Sequence, residues 1–75
     1  MWIKSQDGKS ILNTDRVTFL YAHGNRNGEF EIRALDGSEN AYVMGEYHTL
    51  ERANVVLTEI YTAISDHKLW DMPKE

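Results

Sequence analysis

Residues 45–60 read GEYHTLERANVVLTEI, and the pattern changes period inside this stretch. Up to Glu46, apolar and polar side chains alternate as they do along a strand. From Leu50 onward, Leu50, Ala53, Leu57, Ile60 and Ile64 recur at steps of three and four, with Val56 and Ala63 beside them. That is the apolar stripe of an amphipathic helix. The spacing predicts a helix over about 50–66, roughly 25 Å long. Thr49 is placed as its N-cap, and Glu51 falls in the first turn, where the helix dipole favours negative charge. Arg52 stands where a capping box would put Glu or Gln. His67 and Lys68 are expected near the helix C-terminus, and Pro73 bars extension through the tail, 67–75.

Upstream, short extended segments alternate with turns. Met1 to Ser5 and Ser10 to Asn13 read as a hairpin closed by the Asp7-Gly8 turn. Arg16 to His23 is richer in β-branched and aromatic residues, with Val17, Phe19 and Tyr21 expected on one face and Thr18, Leu20 and Ala22 on the other. The run GNRNG at 24–28 turns the chain through residues that enter left-handed conformations cheaply. Glu29 to Leu35 alternates cleanly: Phe30, Ile32 and Ala34 point one way, Glu31 and Arg33 the other. A further Asp-Gly turn at 36–37 leads to Asn40–Glu46, with Tyr42 and Met44 opposite Ala41 and Val43. Tight turns between successive strands predict a meander. The fold class expected is α+β: one domain over 1–75, a four- to five-stranded antiparallel meander sheet within 1–46, and one C-terminal amphipathic helix packed on one face. The other face must then meet water, a ligand or another copy of the chain.

A domain of 75 residues has little core. It has no cysteine, so neither a disulfide nor a thiolate metal site is available, and self-association is the expected aid to stability. The absence of cysteine, of a signal-type N-terminus and of any long apolar run leads to the expectation of a soluble, cytoplasmic chain without membrane contact. Net charge is -4, divided as +1 over residues 1–35 (five basic, four acidic) and -5 over 36–75 (three basic, eight acidic). Without a basic cluster, direct nucleic-acid binding is not expected.

The cluster of ionisable groups in GEYHTLER raises the question of catalysis. Each of its residues is accounted for by the local structure. Gly45 and Glu46 end a strand, Tyr47 and His48 turn the chain, and Thr49 caps the helix. His48 and Glu51 lack the second histidine of HExxH, so no metal site is expected. Ser5, Ser10, Ser38 and Ser65 carry no nucleophile motif, and GNRNG lacks the strand-to-helix setting and lysine of a phosphate loop. No enzyme, catalytic residue or cofactor is expected. Binding is better served. Arg16, Arg26, Arg33 and Arg52 offer planar bidentate donors, and Tyr21, Tyr42, Tyr47 and His48 offer rings, as nucleotide sites and protein interfaces both require. Arg33 stands out, since it falls on the face that Phe30 and Ile32 do not use. Glu46, Glu51 and Glu59 are candidates for an acidic partner surface.

Taken together, MWIKSQDGKSILN at the start and GEYHTLERANVVLTEI at the junction resemble short, mostly uncharacterised proteins of Gram-positive bacteria and their phages. Those open with an "MWI-SQD" hairpin and close with a "GEY-T-ERA--VL-EI" junction. The resemblance implies the meander-plus-helix arrangement and a phage or prophage setting, and it transfers no site residues. Two functional classes follow. One is a non-enzymatic regulator or inhibitor that binds a host or defence protein stoichiometrically, including a counter-defence role. The alternative is an oligomeric sponge that sequesters a nucleotide-type signalling molecule.

Overall fold

A computed structural model describes residues 1–64 and 69–75. In chain order the elements are β1 (Trp2–Lys4), β2 (Ile11–Asn13), a 3-10 turn (Thr14–Arg16), β3 (Val17–Gly24), β4 (Phe30–Asp36), β5 (Ala41–Tyr47), α1 (Leu50–Ile64) and β6 (Leu69–Asp71). The α+β class is as expected, but the strands form two sheets of three instead of one meander. β3-β4-β5 is antiparallel throughout, while β2-β1-β6 joins the N-terminal hairpin to the tail, with β6 parallel to β1. Two features defeat the single sheet. The 3-10 turn breaks the chain between β2 and β3, and Asn13 caps it by accepting the Asp15 N–H at 3.1 Å. The tail then supplies the third strand of the smaller sheet. The residues 65–68, including the expected placements of His67 and Lys68 at the helix end, lie outside the described residues.

Both sheets and the helix feed one core. Ile3 and Met72 come from the hairpin side, Ile32, Ala34, Met44 and Tyr47 from the larger sheet, and Ala53, Val56 and Ile60 from α1. The helix starts where its cap predicts: the Arg52 N–H donates to Thr49 Oγ1 at 3.0 Å. Its buried stripe is narrower than the apolar pattern, because Leu50 and Ile64 at the two ends stay 48% and 39% exposed.

Two bulges interrupt the strand register, and the first corrects an expected sheet face. β3 slips register between Val17 and Phe19, which moves Val17 to the core side with Leu20 and Ala22. β5 slips opposite Ile32 and Arg33 at Met44, which keeps its expected side with Tyr42 and enters the core; beyond it Gly45 takes the core side opposite Ile32 and Glu46 the open side opposite Glu31. A bulge adds one residue to one strand and reverses the parity of everything beyond it.

The tail is strapped down by Gln6. Its side-chain amide nitrogen lies 3.0, 3.1 and 2.9 Å from the carbonyls of Glu46, Pro73 and Lys74, three acceptors shared by two N–H groups, and its Oε1 accepts the Glu46 N–H at 2.8 Å. Met72 N–H bonds the Lys4 carbonyl at 3.0 Å, and the Tyr47 hydroxyl donates to the Pro73 carbonyl at 2.8 Å. Tail and sheet meet closely at Gly45. A Cβ there would stand 2.9 Å from Tyr47 Oη and 3.2 Å from Met72 Cε. Gly45→Ala should therefore destabilise the domain by about 1–3 kcal/mol, the usual range for overpacking. Gly37→Ala, where a Cβ meets nothing within 4 Å, is the matched control. Urea unfolding of the two variants checks this, and equal midpoints would contradict the tail packing described.

Candidate functional site

α1 covers the side of β3-β4-β5 that carries Ile32 and Ala34, and leaves the other side open. On the open side the register sets three cross-strand rows. Phe19, Leu35 and Ala41 make an apolar row; Tyr21, Arg33 and Val43 make a mixed one; His23, Glu31 and Glu46 make a polar one. Along β3 the rings of Phe19 and Tyr21 lie 5.4 Å apart, and Tyr21 meets His23 edge-on at 6.4 Å. The spacing follows from strand geometry, since residues two apart share a face.

An ion pair sits at the centre. Arg33 Nε lies 2.8 Å from Glu31 Oε1, with side-chain exposures of only 29% and 13%. Glu31 is further held by the Asn25 amide at 3.3 Å, and the same amide reaches Glu46 Oε2 at 2.9 Å. Asn25 is itself fixed, because its Oδ1 accepts the N–H groups of Asn27 and Glu29 at 2.9 and 3.0 Å. Desolvation pushes the Glu31 carboxyl up, but the hydrogen bonds from Arg33 and Asn25 outweigh it and leave the group below its ordinary value. The same contact with Glu31, followed by Tyr21, raises Arg33. Phe19 and Val43 flank this pair at 58% and 50% exposure. At the polar end of the face, Arg26 and Arg33 share with Asn25 and Glu46 an open depression of about 660 Å³.

The residues singled out in the sequence fall in several places. Tyr21, Arg26, Arg33 and Glu46 come together on or beside the open face. Arg16 and Tyr42 line a separate groove between β2 and β5, where the Tyr42 hydroxyl donates to Asp36 Oδ2 at 2.9 Å. Tyr47 is 1% exposed, so its ring belongs to the core, and burial pushes its hydroxyl up to about 12. His48 bonds Glu29 at 2.9 Å, and Arg52 donates to the Glu75 backbone carbonyl; both tie the helix start to neighbouring chain. Glu51 and Glu59 are exposed on α1, across the sheet from Glu46, so the three do not form one acidic surface. Phe19, Asn25 and Val43 are not among the residues that the sequence singles out. The alternation of Phe19 with Tyr21 is the available signal for the first; nothing local marks the other two. Among the described residues, no group of three acidic or histidine side chains converges to hold a metal, and no helix is long and apolar enough to cross a membrane.

Comparison with protein families, curated proteins and solved structures finds no match to this chain. The face must therefore be judged on its own geometry.

The depressed Glu31 carboxyl has a pH consequence. A carboxylate whose folded-state value is lowered stabilises the fold above its unfolded value and ceases to as pH falls through the folded one. Its ordinary value is 4.5, so this contribution should fade below that pH. Glu31→Gln should flatten the fall in urea midpoint between about pH 5 and 2, though Asp7 and Asp36, also lowered, will keep part of the slope. An unchanged acid limb would show that the Arg33 and Asn25 contacts do not hold the carboxylate in solution.

Proposed function

We propose that this chain is a small non-enzymatic binding protein that engages a protein partner stoichiometrically through the open face of β3-β4-β5. The class of role is a phage- or prophage-type regulator or inhibitor of a host or defence protein, working in the cytoplasm and self-associating. One observation carries the reading: a half-desolvated Arg33–Glu31 pair with Tyr21 beside it, between exposed Phe19 and Val43, on the face α1 leaves open. Interfaces concentrate their binding energy in such centres, where an arginine and aromatic rings are shielded from water by a surrounding rim. The face offers a partner apolar contact at one end and acidic groups at the other.

A second reading, the oligomeric sponge for a nucleotide-type signal, is favoured by one feature. Arg26 and Arg33 flank the same depression, and two arginines on one cleft suit a phosphate. Glu31 and Glu46 share that cleft and oppose an anion, which places the reading second.

Affinity capture from a bacterial host lysate, followed by native mass spectrometry, separates the two. A protein partner at fixed stoichiometry should be lost with Phe19→Ser and Arg33→Gln, each costing about 2 kcal/mol or more of binding, and kept with Tyr61→Ser on the exposed side of α1. Undiminished capture by the two face variants would sink the proposal. Retained mass of a few nucleotides' size per oligomer, released by Arg26→Ala, would favour the sponge instead.

A further inference from the structure

Three turns of this chain place glycine directly after Asp or Asn: Asp7-Gly8, Asn27-Gly28 and Asp36-Gly37. Such pairs share a reaction. A glycine amide has no Cβ beside it and can turn its nitrogen onto the preceding side-chain carbonyl. The structure blocks two of the three. Asp7 Oδ1 accepts the Ser5 hydroxyl at 2.6 Å and the Lys9 N–H at 2.9 Å. Asp36 Oδ1 accepts the Asn40 and Ser38 N–H groups at 3.0 and 2.8 Å. The bonds from Ser5 and from Asn40 lead in holding these two carboxyls below their ordinary values, so both stay ionised and resist a nucleophile.

Asn27 is different. It is exposed and uncharged, and among the described residues no hydrogen bond holds its carboxamide. Gly28 is exposed at φ +80°, and a Cβ there would meet nothing within 4 Å. Its N–H donates to the Asn25 carbonyl at 3.3 Å, past the usual range for such bonds, so the nitrogen is weakly held. The other four asparagines precede Thr14, Arg26, Ala41 and Val55, each with a side chain in the way. Asn13, Asn25 and Asn40 also commit their side chains to hydrogen bonds, and Asn54 lies within α1.

We propose that Asn27 is a deamidation site, at which reaction with water alters the polar end of the open face. The Gly28 nitrogen loses its proton to solvent and bonds to the Asn27 side-chain carbonyl carbon. The bond from that carbon to the side-chain nitrogen breaks, and ammonia leaves with a proton taken from water. Water then opens the cyclic imide. Opening at the side-chain carbonyl leaves an aspartate; opening at the main-chain carbonyl leaves an isoaspartate, whose backbone runs through the former side chain. Either product adds a carboxylate to the depression where Arg26 and Arg33 stand against Glu31 and Glu46, and tips that balance negative. The isoaspartate also lengthens the turn by a methylene. Asn25 feels that change, because its Oδ1 accepts the N–H groups of Asn27 and Glu29 while its Nδ2 bridges Glu31 and Glu46. The modification needs no partner; only its effect on one rests on the proposed function.

The test is incubation of the full folded chain in mildly alkaline buffer, followed by peptide mapping with mass spectrometry. Conversion at Asn27 about tenfold or more faster than at any other asparagine is the expected result. Asn27→Gln should nearly stop it, since the longer side chain closes a ring less readily. Amide exchange at Asn27 and Glu29 should quicken in the isoaspartate form and stay unchanged in fresh Asn27→Asp, which carries the charge without the added methylene. The proposal is overturned by earlier conversion at another asparagine, by an Asn27→Gln chain that gains acid as fast, or by unaltered exchange at both N–H groups in the isoaspartate form. None of these readings involves a captured protein, so the open-face proposal and this one can fail separately.

Discussion

The carboxamide of Gln6 is the junction on which the domain depends. It bonds the carbonyls of Glu46, Pro73 and Lys74 and the N–H of Glu46, while its backbone N–H takes the Met44 carbonyl and its carbonyl receives Lys74 Nζ at 3.1 Å. The hairpin, the larger sheet and the C-terminal tail thus meet at one residue. Each such bond nets only about 0.5–1.5 kcal/mol, but the groups are joined in one network and are not independent. The position matters because the core is shared. Ile3 and Met72 on one side must stay packed against Ile32, Met44 and Tyr47 on the other, and a chain of this size has no second core to fall back on. Terminal residues usually fray unless they are tied down. Here the tail contributes Met72 to the interior, so its tethering is a condition of the fold.

Dividing the strands between two sheets also creates the surfaces available for binding. A single helix can cover one face of β3-β4-β5, and it covers the one carrying Ile32 and Ala34. The 3-10 turn at Thr14–Arg16 prevents β2 from continuing into the larger sheet, and a groove is left between β2 and β5. A continuous meander would have closed that gap with ladder hydrogen bonds. The open face and the groove therefore follow from the same break in the chain.

What can be read from the sequence is local. The change of period at residues 45–60 locates α1, and Thr49 is recognisable as its cap because the capping interaction spans three residues. Arg33 falls on the open face because β4 alternates without interruption. Parity fails where bulges intervene: Val17 lies beyond the one in β3, and Glu46 beyond the one in β5, on the open side instead of with Tyr42 and Met44. The tail strand is not legible, because three residues, LWD, are too short for a period and the pairing partner lies at the other end of the chain. Tyr47 reads as a ring available for binding because nothing near it in sequence shows that the tail closes over it. Gln6 gives no local sign at all, since its partners are about 40 and 68 residues away.

The Arg33–Glu31 pair bears on how the open face can bind. Burying an isolated charge beneath a partner is costly, and breaking a buried pair leaves its other half uncompensated. In the free chain the two groups already hold each other at 2.8 Å, with Asn25 satisfying part of what remains of the carboxylate. Part of the desolvation needed to cover them is already made in the free chain. On the proposed role, a partner that offers a matching donor or acceptor is favoured, and one that presents a like charge to either group is penalised. Affinity then falls to Phe19 and Val43, whose exposed apolar area is worth roughly 25 cal/mol per Å² removed from water. On the proposed binding role, selectivity sits at the centre of the face and binding strength at its flanks.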